Sequence, residues 1–142
     1  MATTYSSSQA AANVPPKYLH AGVIVRSATY ALSAALVLND VIQMFKVPAG
    51  ATIHEAILAS DDTDTNGTPT IKYDVGDATT ANRFISASII GQTGGVARMD
   101  QSGGVGFKYT ADTIIQVKVN TAPATGASSG NITLTVSYTM DA

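Results

Sequence analysis

The stretch "NITLTVSYT", residues 131–139, alternates between apolar side chains and side chains that carry hydroxyl groups. In an extended chain one face would carry Ile132, Leu134, Val136 and Tyr138. Alternation with a period of two predicts a β-strand that buries one face and exposes the other. Strands of this kind are typical of antiparallel sheets, because helix-covered parallel sheets bury both faces. The stretch therefore predicts an antiparallel β-sandwich.

Other segments show β-type patterns between turn-forming residues. Strands are predicted at 22–26, 40–47, 52–60, 70–75, 104–110, 113–120 and 131–139, with a further strand in or near 30–38. Residues 79–90 predict a helical turn or another strand, with Phe84 and Ile85 against the core. The glycine-rich segment 94–106 predicts a flexible loop. The predicted fold class is all-β, an antiparallel β-sandwich of the jelly-roll type with about eight strands.

The beginning of the chain has little to bury and ends in two prolines, which favour an extended backbone. We expect residues 1–19 to form an extended N-terminal arm and residues 20–142 to form the sandwich domain. Such an arm would be ordered only by contact with another chain, because ordering it costs conformational entropy. We therefore expect it to leave its own core and lie across a neighbouring subunit. The predicted interface residues are Tyr5, Val14, Pro15, Pro16, Tyr18 and Leu19.

Composition excludes several functional classes. Of the 142 residues, 13% are charged, the net charge is -2, and the eight basic residues do not cluster. Such a chain lacks the basic surface with which proteins bind nucleic acid. No apolar run is long enough to cross a bilayer. The absence of cysteine excludes disulfides and thiolate chemistry. We expect neither nucleic acid nor membrane as a partner.

The stretch "DDTDTNG", residues 61–67, contains the first half of a calcium-binding EF-hand loop. Asp62, Asp64 and Asn66 have the required alternate spacing. However, the twelfth loop position, which should be Glu, is Tyr73, and the flanking segments resemble strands and not helices. The sequence favours a polar turn over a calcium site, and we expect no cofactor. Calcium titration by calorimetry would separate the two interpretations.

Candidate catalytic groups are few. His20 and His54 are the only histidines. His54 precedes Glu55 on a predicted strand, so the two side chains should point to opposite faces and cannot form a local acid–base pair. No nucleophile motif accompanies them. We expect this protein not to be an enzyme.

Two long stretches carry a resemblance to a known family. They are "DVIQMFKVPAGATIHEAILASDDTDTNGTPTIKYDVGDATTANRFI" and "GVGFKYTADTIIQVKVNTAPATGASSGNITLTVSYT". Together they resemble small structural proteins of tailed bacteriophages that are found on the head alongside the major capsid protein, and are described as decoration or cement proteins. The resemblance covers about residues 20–139. It rests on the order of "VPAGATI", "YDVGD", "RFI", "YTADTI" and "ITLTVSYT".

This resemblance implies a jelly roll or related sandwich, commonly trimeric, which sits where capsid subunits meet. It implies a virion structural protein on the outer surface of the capsid, made in the host cytoplasm. Its partners would be the major capsid protein and two further copies of itself in a homotrimer, and it would have no catalytic residues. The alternative is a carbohydrate-binding or host-attachment β-sandwich module of a tail or head fibre, with or without bound calcium. Calcium-dependent glycan binding that requires Asp62 or Asp64 would favour this alternative.

Overall fold

The computed structural model describes residues 2–14 and 22–140. Nearly half of these residues lie in ten β-strands. The strands are β1 Thr4–Ser6, β2 Ile24–Ala31, β3 Val41–Val47, β4 Ala51–Ser60, β5 Lys72–Gly76, β6 Ile85–Ser88, β7 Gly95–Arg98, β8 Phe107–Lys108, β9 Thr113–Thr121 and β10 Asn131–Met140. The helical elements are α1 Ser8–Ala11 and two 3-10 turns, Ile90–Gln92 and Ser102–Gly104. None of the helices described is long and apolar enough to cross a membrane.

The strands form two five-stranded sheets. Sheet A has the order β1-β3-β9-β5-β6, and sheet B has the order β2-β10-β4-β7, with β8 also paired to β4. Every pairing is antiparallel except that of β1 with β3. The prediction of an all-β, sandwich-like fold is confirmed.

The core lies between the two sheets and consists of the alternating residues that the sequence pattern predicts. Sheet B contributes Ile132, Leu134, Val136 and Tyr138 from β10, and sheet A contributes Ile115, Val117 and Val119 from β9. Each of these residues is at most 1% exposed. Burial of one such side chain contributes roughly 1.5–3 kcal/mol, so the facing strands β9 and β10 supply much of the stability.

The predicted strand at 30–38 is wrong. Strand β2 ends at Ala31, and residues 32–40 form a loop. Leu32, Leu36 and Asp40 are buried, but Ala34 and Leu38, which a strand with a period of two would bury on the same face, are exposed. The loop ends at Asp40, whose carboxylate accepts a hydrogen bond from the Val37 N–H at 2.9 Å.

The segment 94–106 is not simply the flexible loop that was predicted. It contains β7, which pairs with β4 at the edge of sheet B, and a 3-10 turn. Within 79–90 the strand alternative is correct for β6, and Phe84 and Ile85 are fully buried as expected. The glycine-rich composition of the segment did not predict β7. Two of its pairing partners on β4, Ile57 and Leu58, supply the large apolar side chains of this pairing.

The N-terminal segment is the largest departure from expectation. Strand β1 adds in parallel to the edge of β3, so that Thr4–Ser6 lie opposite Val41–Gln43 of the same chain. The Val41 N–H donates to the Thr3 oxygen at 2.9 Å, and the Ser7 N–H donates to the Gln43 oxygen at the same distance. The expectation that the arm leaves its own core is wrong for these residues. Four of the predicted interface residues, Pro15, Pro16, Tyr18 and Leu19, lie outside the described residues, as does the expected domain boundary.

Candidate functional site

The loop that was considered for calcium is organised around the carboxylate of Asp64. This side chain is 1% exposed and accepts main-chain N–H bonds from four residues of two other segments. The donors are Thr70 at 2.7 Å, Ile71 at 3.1 Å, Ala124 at 2.8 Å and Thr125 at 2.9 Å. With its oxygens occupied in this way, Asp64 ties the 61–71 loop to the 122–130 loop and has little capacity left for a cation.

The other two calcium candidates stabilise their own turns. The Asp62 carboxylate accepts the Asp64 N–H at 3.0 Å, and the Asn66 side-chain oxygen accepts the Thr68 N–H at 2.9 Å. These are the local bonds that Asp and Asn make in turns. Across residues 2–14 and 22–140, no three His, Asp or Glu side chains converge as a metal site would require.

The Asp64 bonds predict a loss of stability in acid. Burial would raise the pKa of Asp64, but the N–H bonds from Thr125, Thr70, Ala124 and Ile71 outweigh it and hold the pKa well below the ordinary value of 3.8. A carboxylate whose pKa is lower in the folded state adds stability above its unfolded pKa, and this stability is lost as pH falls further. Urea unfolding should therefore give constant stability from about pH 7 to 5 and a decline below about pH 4. Stability that is unchanged at about pH 3 would contradict this prediction.

A second buried carboxylate, Asp77, lies at the opposite end of β5. It is 3% exposed. Its oxygens accept bonds from Arg83 Nε at 2.5 Å, from the Tyr109 hydroxyl at 2.7 Å, and from the Thr79 and Thr80 N–H groups at 2.9 and 2.8 Å. Burial would raise the pKa of Asp77, yet these partners lower it overall. The resulting cluster joins the turn after β5 to the segment between β8 and β9.

Arg83 and Tyr109 also make aromatic contacts around this carboxylate. The Arg83 guanidinium lies 3.8 Å from the centre of the Phe107 ring, a cation–π contact, and the Phe107 and Tyr109 rings meet edge to face at 5.0 Å. Burial, and then the bond to Asp77, raise the pKa of Tyr109, so it is a neutral hydrogen-bond donor at any physiological pH. These contacts hold in place the side chains that form one wall of a cavity of about 530 Å³ on the outer side of sheet A.

The N-terminal segment closes an open side of the sandwich. Tyr5 of β1, in sheet A, packs on Tyr30 of β2, in sheet B, with ring centres 5.7 Å apart. Arg26 of β2 donates to the side-chain oxygen of Gln9 at 3.2 Å. Because β1 belongs to one sheet and these contacts reach the other, residues 3–11 cover the gap between the edges of β2 and β3. Covering an edge in this way protects it from pairing with other chains.

Deletion of residues 2–11 should have a modest effect on stability. The segment makes the main-chain bonds described above, and its Ser7 hydroxyl donates to the Met44 oxygen, but ordering ten residues costs roughly 1 kcal/mol or more each. The two contributions nearly cancel, so we expect the sandwich to remain folded with only a small drop in melting temperature. The truncated protein should instead self-associate through the exposed edge of β3. A truncated protein with unchanged sedimentation would contradict this expectation.

The outer face of sheet B is large and almost uncharged. Ser27 and Thr135 hydroxyl groups meet at 3.0 Å, and those of Thr29 and Thr133 at 2.8 Å. Apolar side chains lie beside this hydroxyl ladder, and Val25 and Val96 are 60% and 61% exposed. Among the described residues, this outer face carries one ion pair, between Arg98 and Glu55, at 3.6 Å. Because few charges need to be desolvated, such a face can be buried against another protein.

Sequence reasoning missed the residues that organise these surfaces. Asp40 is fully buried and holds the N-terminal segment, because its carboxylate accepts the Thr3 N–H at 2.6 Å. Asp77 and Tyr109 lie in the stretches "YDVGD" and "YTADTI", which did not by themselves predict that the two side chains meet. The sequence does show an acidic residue, Asp77, directly after an apolar strand. Its partner Tyr109 is 32 residues away in the sequence, so the contact could not be read from local spacing. Of the predicted interface residues that are described, Tyr5 and Val14 are both half-buried on this chain alone.

Solved structures of three other proteins share this fold. A chain in the capsid of Ralstonia phage GP4 matches with a TM-score of 0.88 and 31% identity, over 98% of this chain and 99% of the other. A chain in the cyanophage Pam1 capsid asymmetric unit matches with a TM-score of 0.78 and 32% identity, over 94% and 96%. A chain in the acid-stable capsid of Helicobacter pylori bacteriophage KHP30 shares the fold alone, with a TM-score of 0.57, 17% identity, and 84% and 95% covered. No family model and no curated protein matches the sequence.

Proposed function

This chain belongs to a family of bacteriophage capsid structural proteins, and from that premise we propose that it decorates the phage head and stabilises it by bridging adjacent subunits of the major capsid protein. The observation that carries the proposal is the match to chains of two phage capsids over almost their whole length. In both comparisons more than nine tenths of each chain is covered, so the similarity is not confined to one part of this sequence.

The surface chemistry supports a role in assembly. The outer face of sheet B presents hydroxyl, alanine and branched apolar side chains, and can be buried at little electrostatic cost. Nothing in the Asp64 or Asp77 clusters requires a substrate, since each carboxylate is satisfied by groups of its own chain. We therefore propose a structural protein without catalytic activity, placed on the outer surface of the virion as a homotrimer after synthesis in the host cytoplasm. Closed rings of this kind bury the same surface on every copy.

Removal of the protein should make the head less resistant to heat. A protein that binds the assembled shell and not its separated subunits stabilises the shell in proportion to RT ln(1 + [L]/Kd), which reaches several kcal/mol when sites are saturated. Heads that lack the protein should release DNA at a lower temperature than complete heads, as measured by dye fluorescence, and addition of purified protein should restore the higher value. Equal release temperatures with and without the protein would contradict the stabilising role.

A further inference from the structure

The cavity of about 530 Å³ beside the Asp77 cluster is lined by a buried polar side chain that has no hydrogen-bond partner among the described residues. Gln116 lies on β9, is 7% exposed, and lines this cavity. Its carboxamide makes no hydrogen bond with any described residue, although buried polar side chains are usually paired. Its polar atoms are not fully buried, because no fully buried side-chain nitrogen or oxygen is left without a partner in the described chain, and Gln116 lines the cavity. The Gln116 amide group and carbonyl oxygen are therefore available as donor and acceptor to an occupant of the cavity.

We propose that this cavity is the docking site for an uncharged peptide segment of the major capsid protein, whose amide groups pair with the Gln116 carboxamide. The inference rests on the proposed function and specifies where the capsid protein binds. A carboxamide has an N–H donor and a C=O acceptor side by side, and the N–H and C=O of one residue in an extended peptide also point the same way, so the two can form paired hydrogen bonds. The size is within the range of pockets that hold small ligands or a few residues of a peptide.

The charges around the cavity favour a neutral occupant. Two acidic and two basic side chains line it, namely Asp77, Asp112, Arg83 and Lys108. Asp77 and Arg83 neutralise each other at 2.5 Å, and the Asp112 carboxylate accepts the Ala49 N–H at 2.9 Å. A charged peptide segment would lose its hydration on entering the cavity, and the cavity has no net opposite charge to compensate for that loss. An uncharged segment loses less, and it can contact the rings of Phe107 and Tyr109 as well as the half-buried Ile114.

The sheet beneath the cavity restricts how a peptide could bind. Strand β9 is paired on both sides, with β3 and with β5, so its main chain cannot accept a further strand. Recognition must come from side chains that project outward, with Gln43 opposite Gln116 in the register of β3 and β9. Gln43 already accepts a bond from the Ser6 hydroxyl at 3.3 Å, whereas the Gln116 carboxamide makes no bond within the described part of the chain. The segment would therefore lie across the face of sheet A and not along its edge.

The experiment measures binding of purified variants to phage heads that lack this protein. Gln116→Leu keeps the approximate size and removes both hydrogen-bonding groups. Because the variant breaks no hydrogen bond within residues 2–14 and 22–140, the melting temperature should be unchanged or higher, whereas the affinity for heads should fall about tenfold. The matched control is Gln101→Leu, whose side chain bonds only to the neighbouring Asp100.

A second pair of variants does not alter any buried side chain. Thr110→Arg places a charge at the exposed rim of the cavity and should weaken binding at least tenfold, while Ser129→Arg, on the exposed loop beyond the far end of β9, should bind like the unaltered protein. Equal binding of Gln116→Leu, Thr110→Arg and the unaltered protein would refute the docking site and leave the proposed function intact. Failure of the unaltered protein to bind such heads would instead refute the proposed function.

Discussion

Replacement of Asp64 by alanine should lower the free energy of unfolding by more than about 3 kcal/mol. The change removes an acceptor from four main-chain N–H groups that belong to two different loops. Each N–H group that is buried without a partner costs about 1–3 kcal/mol, although those near the surface can recover a bond to water. The Ile71 N–H cannot easily do so, because Ile71 is fully buried. Urea unfolding followed by circular dichroism at about pH 7 measures the loss.

Asp62→Ala is the matched control. Asp62 is an exposed acidic residue of the same loop, and its carboxylate accepts the N–H of Asp64. Its removal should cost about 1 kcal/mol, because it leaves a single main-chain N–H group without its acceptor. Added calcium should change the melting temperature of neither the unaltered protein nor this variant. Equal losses for the two alanine variants would contradict the structural role assigned to Asp64, and stabilisation by micromolar calcium would restore the metal-site interpretation.

Replacement of Asp77 by alanine should lower the free energy of unfolding by about 3 kcal/mol. The change leaves the Arg83 guanidinium and the Tyr109 hydroxyl without their shared acceptor, in a place where their side chains are largely buried. Removal of one member of a buried ion pair is costly because the remaining charge stays desolvated. Thermal and urea unfolding measure the effect.

Tyr109→Phe separates the hydrogen bond from the rest of the cluster. This variant keeps the ring contacts with Phe84 and Phe107 and removes only the hydroxyl that donates to Asp77. We expect a loss of about 1 kcal/mol, the ordinary net contribution of one hydrogen bond. An Asp77→Ala loss no larger than that of Tyr109→Phe would show that the Arg83 ion pair contributes nothing, which the account does not allow.

The strands that the sequence predicts well are those whose burial is one-sided. In β9 and β10 every second residue is apolar, and the pattern alone places Ile115 and Ile132 in the core. Strands β1 and β7 were not predicted, because a three- or four-residue edge strand of small residues has no apolar alternation to detect. Their pairing is decided by the neighbouring strands β3 and β4, and therefore by tertiary structure.

The site residues were harder to predict than the fold. The spacing of the acidic residues in 61–67 has meaning in metal chemistry, but Asp64 bonds to N–H groups 60 and 61 residues further along the chain. Local spacing cannot reveal such partners. Alternation along β9 places Gln116 on the face opposite Ile115 and Val117, and it does face outward from sheet A. It is nevertheless buried, and the cavity that it lines also includes the segment 107–113.

The most direct test of the central claim, that this protein bridges major capsid protein subunits on the outside of the head, is a cryo-electron microscopy map of the assembled particle at a resolution that shows side chains. The account predicts trimers of this chain on the outer surface, each copy in contact with at least two subunits of the major capsid protein, with a capsid segment in the cavity beside Gln116. A chain found inside the shell, or bound to a single subunit only, would contradict the account.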